Sequence, residues 1–248
     1  MIPCRTSNEI AAMRRAGRVV AEMHEVTRAA IRPGVTTAHI DQLCREVLDR
    51  RGAVSNFLGY HGFPAVVCVS VNEEVVHGIP SQRQLAEGDL VSIDCGAIID
   101  GWHADAAFST IVENGSALAQ DLIATAEAAL DAGIREVRAG RRLGDIGAAI
   151  SAVVEGRRLT IVEGYGGHGI GRAMHEDPDV LNWGRPGRGQ RLRVGNTLCL
   201  EPMVCAGSGD TDVDSDGWTV ITADRTWAAH AEHTVMVGPD GPEVLTMS

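Results

Sequence analysis

The chain has 248 residues, 44% of them hydrophobic, and a formal net charge of −11. That length can bury one sizeable core or two small ones, while the acidic balance argues against a general binder of nucleic acid or anionic membrane. A local basic face around Arg185, Arg188, Arg191 and Arg193 departs from that balance, and its plainest reading is a solvated loop.

The first residues, Met1-Ile2-Pro3-Cys4-Arg5-Thr6, carry no charged start followed by an apolar run, so no signal peptide is expected. No stretch approaches the roughly 18 apolar residues of a membrane span. Both readings point to a cytoplasmic protein without membrane contact. The cysteines, Cys4, Cys44, Cys68, Cys95, Cys199 and Cys205, show neither CxxC pairs nor zinc-type spacing and are expected as free thiols.

Thr6-Ser7-Asn8-Glu9 fits a capping box, with Thr6 as N-cap and Glu9 reaching back. Ile10, Met13, Gly17 and Val20 continue at helical spacing, and Pro33-Gly34 predicts the stop. A second helix is predicted from about Thr37 to Arg51, with Ile40, Leu43, Cys44, Val47 and Leu48 on its apolar face and Gly52 as C-cap. Val66–Val71 reads as a strand, and Leu90–Ile93 leads into Asp94, with a hairpin turn at Gly101 before Asp105. Helices return at about Ser116–Val137 and Leu143–Glu155, followed by strand candidates Asn196–Val204, Trp218–Thr222 and Ala228–Val237. A shift of 106 residues lays Ile31-Arg32-Pro33-Gly34 on Val137-Arg138-Ala139-Gly140 and Ile40 on Ile146. This faint repeat and the element order predict an α+β fold. It would be one compact domain over 1–248 with pseudo-two-fold halves, roughly 1–110 and 111–248, their sheets central and their helices outside.

Six short segments place carboxylates or imidazoles in apolar or glycine-rich sequence: Val75–Pro80, Ile93–Gly96, Gly101–Asp105, Gly166–Glu176, Leu200–Met203 and Ala231–Thr234. Isolated charges in such places are expensive to bury, and a shared metal centre removes the expense. Asp94, Asp105, Glu201 and Glu232 supply four negative charges, which two divalent cations balance. Oxygen-rich ligation with one imidazole suits Mn, Fe, Co or Zn better than a thiolate-loving ion. Two such ions can hold a water, lower its pKa and present hydroxide to a carbonyl carbon. Taken singly, each segment has a bland reading as a turn, cap or strand end; it is their combination that points to chemistry.

With Val75–Pro80, Gly167–Glu176 and Glu201–Val204 as its most specific stretches, nearly the whole chain resembles the bacterial-type (type I) methionine aminopeptidases. The resemblance implies the two-half pita-bread fold, with antiparallel central sheets covered by helices. It also implies removal of the initiator methionine from nascent proteins when the second residue is small. Five metal ligands are implied: Asp94, Asp105, His168, Glu201 and Glu232, with Asp105 and Glu232 bridging two divalent ions, Asp94 on one, and His168 and Glu201 on the other. The ions would be Co, Mn, Fe, Zn or Ni. Glu201 is the implied proton acceptor, His77 a hydrogen-bonding partner near the scissile amide, and His175 the group that steadies the developing oxyanion.

A methionine pocket is implied at Tyr60, Phe63, Cys68 and Trp218, with Phe57 and Met174 beside it. Three of only nine aromatics fall between Phe57 and Phe63; without the motifs they would read as a core patch under a loop, whereas sulfur–aromatic contacts suit a thioether guest. Asp105 is followed by Ala106-Ala107 where many relatives carry hydroxyls, Gly96 stands where some have threonine, and Phe57 and Met174 replace residues that are often Cys and Phe. The expected partners are the N-terminal methionine of nascent polypeptides and, transiently, the ribosome surface, with no specific nucleic acid, acting as a monomer. An Xaa-Pro peptidase of the same fold and a non-enzymatic binding module are the alternatives. Against the first, 248 residues leave no room for the extra N-terminal domain those relatives usually carry; against the second, all five ligand positions are filled.

Overall fold

The computed structural model describes residues 2–247. Its first helix, α1, spans Ser7–Ala30 and is closed at its start by the capping box: the Thr6 hydroxyl accepts from the Glu9 N–H, and Glu9 reaches back to the Thr6 backbone. Helix α2 spans Thr37–Arg51, ending at Gly52, whose φ of 62° is the left-handed C-cap that its missing Cβ permits. These two helices bury Val20, Met23, Ile40, Val47 and Leu48 against one face of a sheet. Burying one such aliphatic side chain contributes about 1.5–3 kcal/mol.

The sheet begins with the short strand β1 (Val54–Ser55) and takes in β2 (Val67–Val71), β4 (Leu90–Ile99) and β5 (Trp102–Ile111), while β3 (Glu74–Val76), between β2 and β4 in the chain, pairs in a separate small sheet. Strands β4 and β5 form an unbroken antiparallel hairpin whose turn is Asp100-Gly101. Helices α3 (Ala117–Glu136) and α4 (Leu143–Gly156) follow, packing Leu122, Ala126, Ile146 and Ile150 into a second core with Leu198, Leu200 and Val235. The last part of the chain is a series of short strands: β6 (Thr160–Ile161), β7 (Gly167–Gly169), β8 (Glu176–Val180), β9 (Thr197–Leu200), β10 (Met203–Cys205), β11 (Thr211–Val213), β12 (Val220–Thr222), β13 (Ala228–His230), β14 (Glu232–Val237) and β15 (Pro242–Val244). The large sheet runs β1-β4-β5-β14-β9-β7-β8, with β2 on β4 and β15 on β14. The α+β class expected from the element order is therefore what the chain adopts.

The loops that follow α1 and α3 are built alike. Gly34 and Gly140 both take left-handed φ values, 84° and 94°. Gly34 donates to the Leu85 carbonyl and Leu85 to the Val35 carbonyl; Gly140 donates to the Leu192 carbonyl and Leu192 to the Arg141 carbonyl.

Two expected strands need correction. Asn196–Val204 is not one strand but two, β9 and β10, parted at Glu201-Pro202; Ala228–Val237 likewise divides into β13 and β14 at Ala231. Proline has no N–H to give to a ladder, and across the gap the Ala231 N–H donates to the Pro202 carbonyl at a long 3.3 Å. The offset between partners is nevertheless the same on both sides: His233 faces Leu200, and His230 faces Met203. The third expectation, Trp218–Thr222, shortens to start at Val220, because Asp216 turns the chain before it by accepting from the Trp218 and Thr219 N–H groups at 2.8 Å each.

Candidate metal centre

The side chains expected to hold metal converge on the middle of the large sheet. Asp94 lies opposite Ala107, and Asp105 opposite Gly96, so the two aspartates are diagonal neighbours on one face of the hairpin. Glu232 also pairs with Ala107, from the other side, which puts Asp94, Ala107 and Glu232 in one row across three strands. Carboxylate oxygens of Asp94, Asp105 and Glu232 lie within 4.8 Å of one another. Gly96 is what leaves room for this: a Cβ there would stand 2.9 Å from Asp105 Oδ1 and 2.3 Å from Asn56 Nδ2. Asn56, donating to the Ala104 carbonyl at 3.1 Å, fills the space beside that glycine.

The other side of the centre comes from the interrupted strands. Glu201 follows β9 and, by continuation of the register, lies across from Glu232. His168 sits on β7 opposite Cys199. Its Nδ1 is 2.9 Å from the Gly169 carbonyl, an acceptor, so Nδ1 carries the hydrogen and Nε2 keeps a lone pair. That lone pair faces Glu201 Oε1 at 3.6 Å. Backbone clamps hold the arrangement: the Thr234 hydroxyl accepts from the Asp105 N–H at 2.9 Å and donates to its carbonyl at 2.8 Å.

Several of these groups lack any partner. Asp94 Oδ1, Asp105 Oδ1 and Glu232 Oε1 are buried without a hydrogen bond, a situation that costs about 1–3 kcal/mol for each ordinary polar atom and more for a charge. Burial first, then the facing carboxylates, hold Asp94, Glu201 and Glu232 well above the usual carboxylate range, and burial pushes Asp105 up to about 7. Burial also lowers His168 to about 4, so its ring is neutral. A buried set of bare carboxylate oxygens facing a neutral imidazole lone pair fits divalent cations in charge and donor type.

Beside the centre opens a cavity of about 310 Å³ lined by all five expected ligands and by Phe57, Tyr60, His61, Phe63, Cys68, His77, Met174, His175 and Trp218. Every residue expected in the pocket is brought there. Cys68 lies opposite Asp94 on β2, its thiol kept protonated by burial and by that carboxylate. Phe63 meets Trp218 edge-on at 5.2 Å between ring centres. His77 follows β3 with a left-handed φ of 61°, an uncommon conformation for a histidine that turns it out of the strand direction. His175 is exposed at the rim, with Nδ1 2.7 Å from the Tyr60 hydroxyl and its ring 4.2 Å from that of His168. The turn carrying it is fixed by Glu176, which accepts from the Arg172 and Ala173 N–H groups at 2.7 and 3.2 Å and pairs with Arg5.

Three residues were not anticipated. His61 lines the cavity from the aromatic loop with φ 47°. Cys199 lies within reach of His168 and Glu232. His230 is buried beside Glu201 and Glu232. The last had a signal: it stands two residues before Glu232 in a strand candidate, and alternate residues share a face.

A family model described as metallopeptidase family M24 matches residues 11–239. Methionine aminopeptidase 1 of Mycobacterium tuberculosis is 48% identical, with alignment over 100% of this chain and 96% of that protein. Methionine aminopeptidase of Clostridium perfringens is 44% identical over 100% and 99%. The crystal structure of methionine aminopeptidase from Thermotoga maritima superposes with a TM-score of 0.98 at 40% identity, each chain covered over 100% of its length.

Proposed function

The chain belongs to metallopeptidase family M24, and from that membership we propose a metal-dependent aminopeptidase that releases the N-terminal methionine of a polypeptide. It has the pita-bread fold of its relatives. We assign it as one catalytic domain whose halves, roughly 1–110 and 111–248, meet where β5 pairs with β14; the matching loops at Gly34 and Gly140 support that division. The observation that carries the function is the adjoining of two environments: bare buried carboxylates at one end of a cavity and a soft lining of Phe57, Tyr60, Phe63, Cys68, Met174 and Trp218 at the other. A methionine side chain suits the second, and its α-amino group and amide then come beside the first.

The family binds divalent metal. Asp94, Asp105, His168, Glu201 and Glu232 would hold two ions, of Co, Mn, Fe, Zn or Ni, with Asp105 and Glu232 shared; bound there, the ions supply Lewis acidity and activate a water nucleophile. The chain's own groups do the rest. Glu201 takes up a proton at a carboxylate oxygen, a role that suits a carboxylate whose proton affinity burial has raised. With the Tyr60 hydroxyl donating to His175 Nδ1, the neutral ring keeps its hydrogen on Nε2 and offers it to the carbonyl oxygen as charge develops. His77, neutral because burial lowers its basicity, accepts or donates at the scissile amide. A small second residue would be favoured where His61, His77 and His175 line the cavity.

The substrate is the N-terminus of a nascent chain, met by a cytoplasmic monomer in transient contact with the ribosome surface. The exposed Arg185, Arg188 and Arg191 on one loop, beside Trp183 at 63% exposure, support that contact, and no helix among the described residues is long and apolar enough to cross a membrane. The test is peptide hydrolysis by chelated protein, with and without added Mn, Fe or Co, on Met-Ala-Ser, Met-Leu-Ser and Ala-Pro-Ser. Metal-dependent release of methionine from the first alone supports the whole reading. Cleavage of the proline peptide alone overturns the substrate, and no cleavage by folded, metal-loaded protein overturns the enzyme.

A further inference from the structure

His230 is the one imidazole at the centre to which no role has been given. It ends β13, is 1% exposed, and its Nε2 is buried without a hydrogen-bond partner. That atom lies 3.7 Å from Glu201 Oε2 and 4.0 Å from Glu232 Oε2. Glu201 thus has an imidazole Nε2 on each of its oxygens: His168 at 3.6 Å from Oε1 and His230 at 3.7 Å from Oε2.

The two imidazoles are not equivalent. His168 gives its Nδ1 hydrogen to the Gly169 carbonyl, so it offers Glu201 a lone pair, and only a cation between them makes that contact favourable. A second lone pair aimed between the oxygens of Glu201 and Glu232 would add repulsion, whereas an N–H there meets two acceptors. The backbone of His230 is also anchored on both sides. The Ser109 hydroxyl accepts from its N–H at 2.9 Å and donates to its carbonyl at 2.8 Å, and Ser109 is itself bonded to Ser92 at 2.8 Å. A side chain so anchored beside a broken ladder is well placed to orient a neighbour.

We propose that His230 is a positioning residue for Glu201: its Nε2–H donates to Glu201 Oε2, leaving Oε1 for the cation shared with His168. A turn of the carboxyl group that shortens the present separation by under about 1 Å makes the hydrogen bond. The inference rests on the metal centre described above but not on the identity of the peptide substrate.

The test compares His230→Leu, which keeps bulk and removes the donor, with His230→Gln, which keeps an N–H. Chelated proteins are titrated with Mn by calorimetry, the Mn-loaded forms are examined by pulsed EPR for coordinated imidazole, and kcat and KM are measured on Met-Ala-Ser at saturating metal. The expected result is a 10–100-fold loss of Mn affinity and a fall in kcat without change in KM for the Leu variant, affinity and kcat within about threefold of wild type for the Gln variant, and one coordinated imidazole in all three. Should the Leu variant fail to fold, the Gln variant still decides. Two imidazoles in wild type with one lost in His230→Gln would make His230 a direct ligand and overturn the proposal. Unchanged affinity and kcat in a folded His230→Leu protein would reduce His230 to packing, again overturning it. Wild type that binds Mn but does not cleave the peptide overturns the functional reading alone; wild type that binds no Mn overturns both.

Discussion

The two sides of the centre are built from the same kind of sheet in opposite ways. On one side, β4 and β5 pair without interruption from Leu90–Ile111 to Ile99–Trp102, and Asp94 and Asp105 project from a regular ladder. On the other, β9–β10 and β13–β14 keep one register but lose their ladder at Pro202 and Ala231, and Glu201, His230 and Glu232 cluster at that gap. A regular ladder fixes where a carboxylate points through the pleat alone. A gap gives up some of that order and instead uses side-chain hydroxyls, Thr234 on Asp105 and Ser109 on His230, to hold the strands together. The Asp94 side is thus positioned by backbone and the Glu201 side by side chains, so substitutions should act differently on the two.

The largest effect is expected where the two sides join. Asp105→Ala and Glu232→Ala each remove a carboxylate that faces both, and each should abolish metal binding, read by calorimetry, together with peptide hydrolysis. If Asp105→Ala kept its metal, the joined arrangement would be wrong. Next in size, His175→Ala should lower kcat about 10²–10³-fold with metal still bound; Tyr60→Phe, which alters only the hydrogen bond to Nδ1, should lower it by less, about tenfold.

Smaller again is the effect of the clamps. Ser109→Ala leaves the His230 backbone groups unpaired and should destabilise the protein by about 1–3 kcal/mol in urea unfolding. Its metal affinity should fall, because the Glu201 side depends on side chains. A change on the hairpin away from the centre, such as Ile99→Thr at the half-buried residue near its turn, should leave affinity as it was.

The smallest expected effect is on pH dependence. Asp94, Asp105, Glu201 and Glu232 have native proton affinities raised above the unfolded value. In metal-free protein the native state therefore holds more protons than the unfolded one, and this contribution to stability is lost as pH rises from about 4 through 7. Bound cations remove that loss. The difference in Tm between metal-loaded and chelated protein should accordingly widen from pH 5.5 to pH 8; a difference that stayed constant or shrank would contradict the assignment of these groups.

How much of this was legible in sequence follows the same division. The helix expected at about Thr37 to Arg51 forms there, because a hydrophobic stripe and a C-capping glycine both speak locally. The hairpin that carries Asp94 and Asp105 was read from β-branched residues and the turn at Gly101. The gap was not: the run from Asn196 to Val204 keeps strand-like residues on both sides of Pro202, and only pairing partners reveal the missing bonds. Strands β7, β8, β11 and β15, of three to five residues and rich in glycine or polar groups, leave no periodic signal. His230 stands two residues before Glu232, but its partner Glu201 is distant in sequence and close only through the register.

The most direct test of the account is to titrate chelated protein with Mn and follow, in the same samples, bound metal and methionine released from Met-Ala-Ser, with Asp105→Ala alongside. Release is expected to rise from zero together with bound Mn in wild type and to stay at zero in the variant, which takes up none. Release from metal-free wild type, or activity retained by Asp105→Ala, would contradict it.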